Sequence, residues 1–301
     1  MKQRSPDTST ACRPKACSRN AMAACLKTLF HFEVFPMLDL NHRSGAQYAT
    51  SRPTPDITTA LSDAIDIGLG ARQRRERPRR YVSSSGLGRA CLRQIQYDYL
   101  AVPKDEGQDF APKILRIFEA GHRGEDMVAS WMRLAGFDLR TERDDGRQFG
   151  FTALGGRFKG HIDGCIVSGP VEMSYPALWE TKALGVSSWK DTVKRGVIVS
   201  KPVYAAQIAL YQAYLDLPNP ALFTALNRDT MEIYAELVPF DAALAQQMSD
   251  RAVAVVQASD AQEVLPREVA EPTSVVCKGG MAAGHWHPPC AWAQRCWRAK
   301  S

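Results

Sequence analysis

Gly160-His161-Ile162-Asp163-Gly164 and, after a short gap, Leu178-Trp179-Glu180-Thr181-Lys182-Ala183 are the two stretches that decide how this chain is read. Both have the character of β-strands. Glu180 and Lys182 stand two residues apart, so a strand projects both from one face. Asp163 precedes a glycine, which fits a bend or a close backbone approach beside the site. Together the two strands bring an acid, a second acid and a lysine to one place. Two carboxylates can hold a divalent cation against a phosphate, and a lysine beside them can orient a water and offset charge building on that phosphate. A lone Glu-x-Lys is most often a solvated strand face; the glycine-flanked Asp163 and the apolar run Ala177-Leu178-Trp179 set this one apart.

The flanks add to the pattern. Upstream, Pro112 to Ala135 has helical periodicity, with Met127, Val128, Trp131, Met132 and Ala135 as an apolar stripe. Glu125 lies three residues before Val128 on that stripe, where a glutamate costs free energy unless it is paired or metal-bound. A boundary glutamate bridged to Arg123 or Lys113 is the plainer reading of it taken alone. Downstream, Lys201-Pro202 opens another helix, with proline where its missing N–H does no harm. Tyr204, Gln207 and Tyr211 recur at i, i+3 and i+7 and share a face of it; without context they would be the polar-tipped rim of an amphipathic helix.

The arrangement Asp-x16-Glu-x-Lys resembles the PD-(D/E)XK nuclease superfamily. Glu125 falls where the RecB-like branch of that superfamily places a further metal ligand, a histidine or a glutamate, with His122 a weaker candidate one turn away. Gln207-x3-Tyr211 is similar to the Gln-x3-Tyr element that follows the catalytic lysine in that branch and positions the DNA backbone. The resemblance implies an α/β, restriction-endonuclease-like core, a mixed central sheet flanked by helices. It also implies a DNA exonuclease dependent on Mg²⁺ or Mn²⁺, with Glu125, Asp163 and Glu180 as metal ligands and Lys182 as the fourth catalytic residue. Linear single- or double-stranded DNA ends would be the substrate, in recombination, repair or CRISPR adaptation. Small standalone relatives are often encoded by phages or prophages, so a single-strand annealing protein, a helicase or a CRISPR adaptation protein is the implied partner. Two rivals remain: a catalytically silent DNA-end-binding module of the same fold, and a zinc-stabilised interaction protein.

The chain has eight cysteines, Cys12, Cys17, Cys25, Cys91, Cys165, Cys277, Cys290 and Cys296. No apolar signal sequence precedes them, which favours metal binding in a cytoplasmic setting over disulfides. One cysteine ahead of the nuclease motifs and three near the C-terminus resembles an iron–sulfur subclass of the RecB-like nucleases, which includes CRISPR adaptation nucleases. The resemblance implies a [4Fe–4S] cluster on Cys91, Cys277, Cys290 and Cys296. The Cys-x2-Cys usual in that subclass is missing at Cys277, and His285 and His287 lie in the insertion before Cys290. A mixed Cys/His Zn²⁺ site therefore stays open. Cys165 reads as a small buried hydrophobe.

The 45% hydrophobic and 23% charged content is ordinary for a globular chain, and no run is long enough to span a membrane. Residues 1–80 hold 14 Lys+Arg against 7 Asp+Glu, while the rest is nearly balanced at 24 against 25. DNA affinity would then come from a local groove, and the arginine run Arg72–Arg80 reads equally as a phosphate contact or a solvated linker. The expected organisation is a weakly ordered basic extension over 1–80, a nuclease core over 81–270 and a cysteine tail over 271–301 packing back on the Cys91 helix. Within the extension only Ile57 to Leu69 hints at a helix, and Met37 reads as a more natural start. Helices are expected over Leu87–Tyr99, Pro112–Ala135 and Asp241–Ala258, and a hairpin over Gly150–Val167. A linker is expected around Trp189.

Overall fold

In the computed structural model, residues 55–282 and 285–298 are described. The more natural start read at Met37 and the cysteines Cys12, Cys17 and Cys25 lie outside them. Chain order gives helix α1 (Pro55–Arg75), strand β1 (Val82–Ser83), α2 (Leu92–Tyr99), α3 (Pro112–Leu134), β2 (Asp138–Arg140), β3 (Gly150–Ala153), β4 (Phe158–His161) and β5 (Gly164–Ser168). Then come β6 (Ala177–Leu184), α4 (Val186–Ser200), α5 (Pro202–Tyr214), β7 (Ala221–Asn227), β8 (Ile233–Val238) and α6 (Ala242–Asp260). The last segment holds α7 (Val275–Lys278), a small hairpin of β9 (Gly280–Ala282) and β10 (His285–His287), and α8 (Ala293–Arg298).

The central sheet is mixed, in the order β2-β5-β6-β7-β8. Only β6 and β7 run parallel, and α4 and α5 make the crossover between them. A second sheet, β1-β4-β3, stands beside it. The hairpin expected over 150–167 is therefore split. Its first two arms, β3 and β4, pair with each other, but the chain leaves that sheet at Ile162-Asp163 and enters the central one as β5. Gly164 permits this switch, because a Cβ there would stand 2.8 Å from Leu139 Cδ1 and 3.1 Å from the Arg140 carbonyl oxygen.

Strand alternation divides β6 between two cores. Trp179 and Ala183 face α3, joining Val128, Ala129, Leu139, Ile166 and Leu226. Leu178 and Leu184 join the larger core with Ile208 and Leu210 of α5, Phe223 of β7 and Val255 of α6. Helix α5 is buried continuously from Ala205 to Gln212, as expected of a helix apolar nearly all round. On α3 the inward face is Gly124, Val128 and Ala129; Met127 and Ala135 of the anticipated stripe turn outward.

Three elements differ from the sequence expectation. The helix foreseen from Leu87 begins only at Leu92, because Ser84–Gly86 form a 3₁₀ turn and the glycines on either side of Leu87 are poor helix formers. The linker around Trp189 is helix α4, whose Ser, Thr and Val content hides it from propensity. Tertiary contacts secure it: Trp189 Nε1 donates to the Ala225 carbonyl at 2.9 Å, and Val197 is fully buried. Finally, α1 extends two residues before Ile57 and six beyond Leu69 and packs along α3, with ion pairs from Arg72 to Glu119 and from Arg116 to Asp66. None of the described helices is long and apolar enough to cross a membrane.

Candidate active site

The site lies where β5 stops and β6 continues. β5 pairs with β6 only as far as Gly164↔Trp179, so from Glu180 onward β6 has a strand partner on one side alone, β7. Asp163, the residue just before β5, fills the gap with its side chain. Its Oδ2 accepts the Thr181 N–H at 2.9 Å and a bond from Lys182 Nζ at 3.2 Å. Lys182 Nζ also donates to the Thr181 carbonyl at 2.8 Å and stands 2.6 Å from Glu180 Oε1. The ammonium thus sits between two carboxylates.

Glu180 is 0% exposed, and neither of its oxygens has a well-directed hydrogen bond, close as Lys182 is. Burial, with the nearby charges of Asp163 and Glu125, raises its pKa to about 8 against the pull of Lys182. Glu125 reaches the same place from α3. It is half-buried and forms no ion pair among the described residues; Arg123 pairs with Asp126 instead. Burial raises Glu125 to about 7, Asp163 and Asp126 adding to the rise and Lys182 opposing it. For Lys182, burial disfavours the ammonium, but Glu180, Asp163 and Glu125 outweigh it and hold the pKa well above the ordinary lysine value. The surrounding carboxylates thus favour the charged form of Lys182.

Glu125 can join because α3 lies unusually close to β6. A Cβ on Gly124 would come within 2.7 Å of Ala183 Cβ. The next residue then points past the unpaired edge of β6 toward Lys182. His122, one turn earlier, is exposed and takes no part in this group.

The structure brings Glu125, Asp163, Glu180 and Lys182 together, but the three carboxylates do not close on one point. Among the described residues, no three Cys, His, Asp or Glu side chains are grouped as a metal-holding set. The physical reason is visible: Lys182 Nζ occupies the space between Asp163 and Glu180. The donor chemistry nevertheless suits a divalent cation. Of the three crowded carboxylates, Glu180 is fully buried without a well-directed hydrogen bond, and Glu180 and Glu125 bear raised pKa values that a nearby dication would relieve.

Gln207 and Tyr211 lie beneath the site. Gln207 Nε2 and Ser84 Oγ both donate to Tyr211 Oη, at 3.0 and 3.1 Å. Tyr211 is 2% exposed and Gln207 6%, so both side chains are buried and the Tyr211 hydroxyl is engaged by Gln207 and Ser84. The residue that the sequence named without giving it a role is Tyr204. Its ring lies 5.6 Å from Lys182 Nζ, and its spacing of three from Gln207 was the signal for it.

The cysteines of the expected cluster meet in a separate cavity. Cys91, Cys277, Cys290 and Cys296 line one cavity, together with Arg93, Arg267 and Trp297. Arg93 Nη1 donates to Cys296 Sγ at 3.6 Å and Trp297 Nε1 to Cys277 Sγ at 3.5 Å. The tail is tied to the Cys91 helix by an edge-to-face pair of Tyr97 and Trp292, and by Trp292 Nε1 donating to the Val102 carbonyl at 2.8 Å. Cys165 stands apart, half-buried, with burial raising its pKa. The side chain of His285 lies outside the described residues.

No family model matches the sequence, and no curated protein matches it. Solved structures similar to it include an alkaline exonuclease from Laribacter hongkongensis, at TM-score 0.44 and 15% identity over 66% of this chain and 93% of that one. The same protein in complex with dAMP gives TM-score 0.43 and 15% identity over 60% and 89%. The structure of SSO0001 gives TM-score 0.39 and 15% identity over 65% and 86%. Likeness at this level leaves the functional reading to the geometry of the chain itself.

Proposed function

We propose that this chain is a divalent-metal-dependent deoxyribonuclease acting on DNA ends. The observation that carries the reading is the Lys182 ammonium held between Asp163 and the fully buried, unsatisfied Glu180, with Glu125 brought alongside by the close packing of α3. Glu125, Asp163 and Glu180 would hold Mg²⁺ or Mn²⁺, which when bound supplies polarisation of the phosphate and a lowered pKa for water. Lys182, kept charged by its neighbours, offsets the negative charge that develops on the phosphate and orients the attacking water. Asp163 is anchored by the Thr181 N–H, so its free oxygen keeps a fixed direction. Gln207 and Tyr211, hydrogen-bonded to each other, are read as the α5 pair that helps position the DNA backbone.

The cysteines are read as ligands of a structural [4Fe–4S] cluster. Support comes from four thiols lining one cavity, with an arginine and an indole N–H donating to two of the sulfurs, which suits an anionic cluster.

The test is cleavage of end-labelled linear single- and double-stranded DNA with Mn²⁺, using protein purified without oxygen, beside Lys182→Ala. Metal-dependent release of label by the wild type, reduced about 10²–10³-fold in Lys182→Ala with DNA binding retained, is the expected result. A folded, iron-loaded wild type that releases none would overturn the reading and leave a DNA-end-binding module.

A further inference from the structure

Ion pairs fix the charge of Lys182 but only loosely its direction, since an ammonium on a four-carbon stem is a mobile point charge. The structure provides a second restraint. Lys182 Nζ lies 5.6 Å from the centroid of the Tyr204 ring, within range of a cation–π contact. That ring is itself held, stacked on Phe223 with centroids 6.5 Å apart and planes 29° from parallel. Phe223 is fully buried and is the register partner of Glu180 across β6 and β7. The ring is therefore keyed to the strand pair that carries the site.

The two tyrosines on this face of α5 differ in one respect. Tyr211 Oη accepts from both Ser84 and Gln207. Tyr204 Oη makes no hydrogen bond with any described residue, and the side chain is only half-buried. A phenol left without an internal partner beside a charged site is free to bond a ligand oxygen.

We infer that Tyr204 is a positioning residue of this site, its ring holding the Lys182 ammonium in place and its hydroxyl serving as the α5 group that bonds a substrate phosphate. The inference rests on the nuclease reading above. It separates two functions within one side chain, so two substitutions separate them too. Tyr204→Phe keeps the ring and removes the hydroxyl; Tyr204→Leu removes both.

The experiment measures steady-state cleavage of end-labelled linear DNA with Mn²⁺ for the wild type, both variants and Lys182→Ala. Tyr204→Phe should raise KM about tenfold with little change in kcat, the loss of one hydrogen bond to a charged group. Tyr204→Leu should in addition lower kcat by about tenfold, within the range expected for a desolvated cation–π contact. A second readout needs no cleavage. In protein labelled with ¹³C at lysine Cε, the Lys182 resonance, assigned by its absence in Lys182→Arg, should be shifted upfield by the ring in the wild type and Tyr204→Phe. It should return toward the ordinary lysine position in folded Tyr204→Leu. Wild-type kinetics in Tyr204→Leu, or an unmoved Lys182 resonance, overturns the inference. An inert wild type with the resonance pattern intact leaves the ring contact standing and removes the nuclease reading instead.

Discussion

Asp163 Oδ2 accepts the backbone N–H of Thr181 at 2.9 Å, taking up a β6 donor beyond the last residue that β5 pairs. This substitution of a side chain for a strand opens the edge of β6, and groups from both faces of the sheet meet in the opening. Glu180 and Lys182 come from the α5 face of β6, and Glu125 comes from α3 on the other. A strand continuing through Asp163 would have closed the edge and kept the two faces apart.

The opening leaves Glu180 fully buried, with the Lys182 ammonium beside it and no well-directed hydrogen bond, which predicts a stability effect of metal independent of activity. Mn²⁺ should raise the melting temperature of the wild type, reaching about 2.7 kcal/mol of stabilisation when its concentration is 100 times Kd. Glu180→Gln, which keeps the shape of the side chain and removes its charge, should lose the rise. Scanning fluorimetry with and without Mn²⁺ decides it. An equal rise in Glu180→Gln would remove Glu180 from the metal set.

Gly124 sets how far Glu125 reaches. Alanine there would gain about 1 kcal/mol of helix propensity. Its Cβ, however, would stand 2.7 Å from Ala183 Cβ, which is fixed to the backbone and cannot easily give way, and 3.3 Å from Leu226 Cδ2. Overpacking of this kind costs about 1–3 kcal/mol, so Gly124→Ala should be net destabilised by roughly 1 kcal/mol. It should also lose cleavage out of proportion to that loss, as α3 withdraws Glu125. Urea melts and cleavage rates on the same protein test both; a more stable, fully active variant would contradict the close-packing account.

Much of this arrangement was legible in the sequence. The alternation of β6 and the glycine after Asp163 placed three of the four site groups, and helical periodicity placed Glu125. What the sequence hid were effects of tertiary contact. Helix α4 is rich in residues that weigh against helix, and its Trp189 and Val197 gain their stability from β7 and the core. The switch of sheets at Ile162-Asp163 has the same local pattern as an uninterrupted hairpin arm. The engagement of the Tyr211 hydroxyl depends on Ser84, 127 residues away in sequence. The split of roles between Tyr204 and Tyr211 follows from it.

The cysteine cavity gives a prediction separable from the nuclease site. Cys296→Ala removes a buried thiol that accepts from Arg93. It should purify without iron or brown colour and with lower solubility, because the tail would lose its tie to α2. Lys182→Ala should keep both iron and colour. Iron analysis of the two variants, purified without oxygen, reads the outcome directly. A colourless but fully stable wild type would count against the cluster.

The start of α5, which carries Tyr204, is secured by a charge network with a definite pH signature. Asp191 accepts from Arg195 Nε and Nη2, each at 2.7 Å, from Lys201 Nζ at 3.3 Å and from Ser200 Oγ. The Arg195 bonds above all, then Ser200 and Lys201, hold its carboxyl well below the usual aspartate range, against the opposing effect of burial. A group whose pKa is depressed by folding stabilises the protein fully above its unfolded value, near 3.8 here, and loses that contribution as pH falls below it. Asp191 is about one-third exposed, so solvent screening limits the contribution to roughly 1 kcal/mol. Asp191→Asn should therefore be less stable than the wild type by about that amount at pH 7, and the gap should narrow steadily below about pH 4. Urea unfolding at both ends of this range measures it. A gap that stayed constant into acid would mean that Asp191 acts through shape alone, with its charge contributing nothing to the seating of α5.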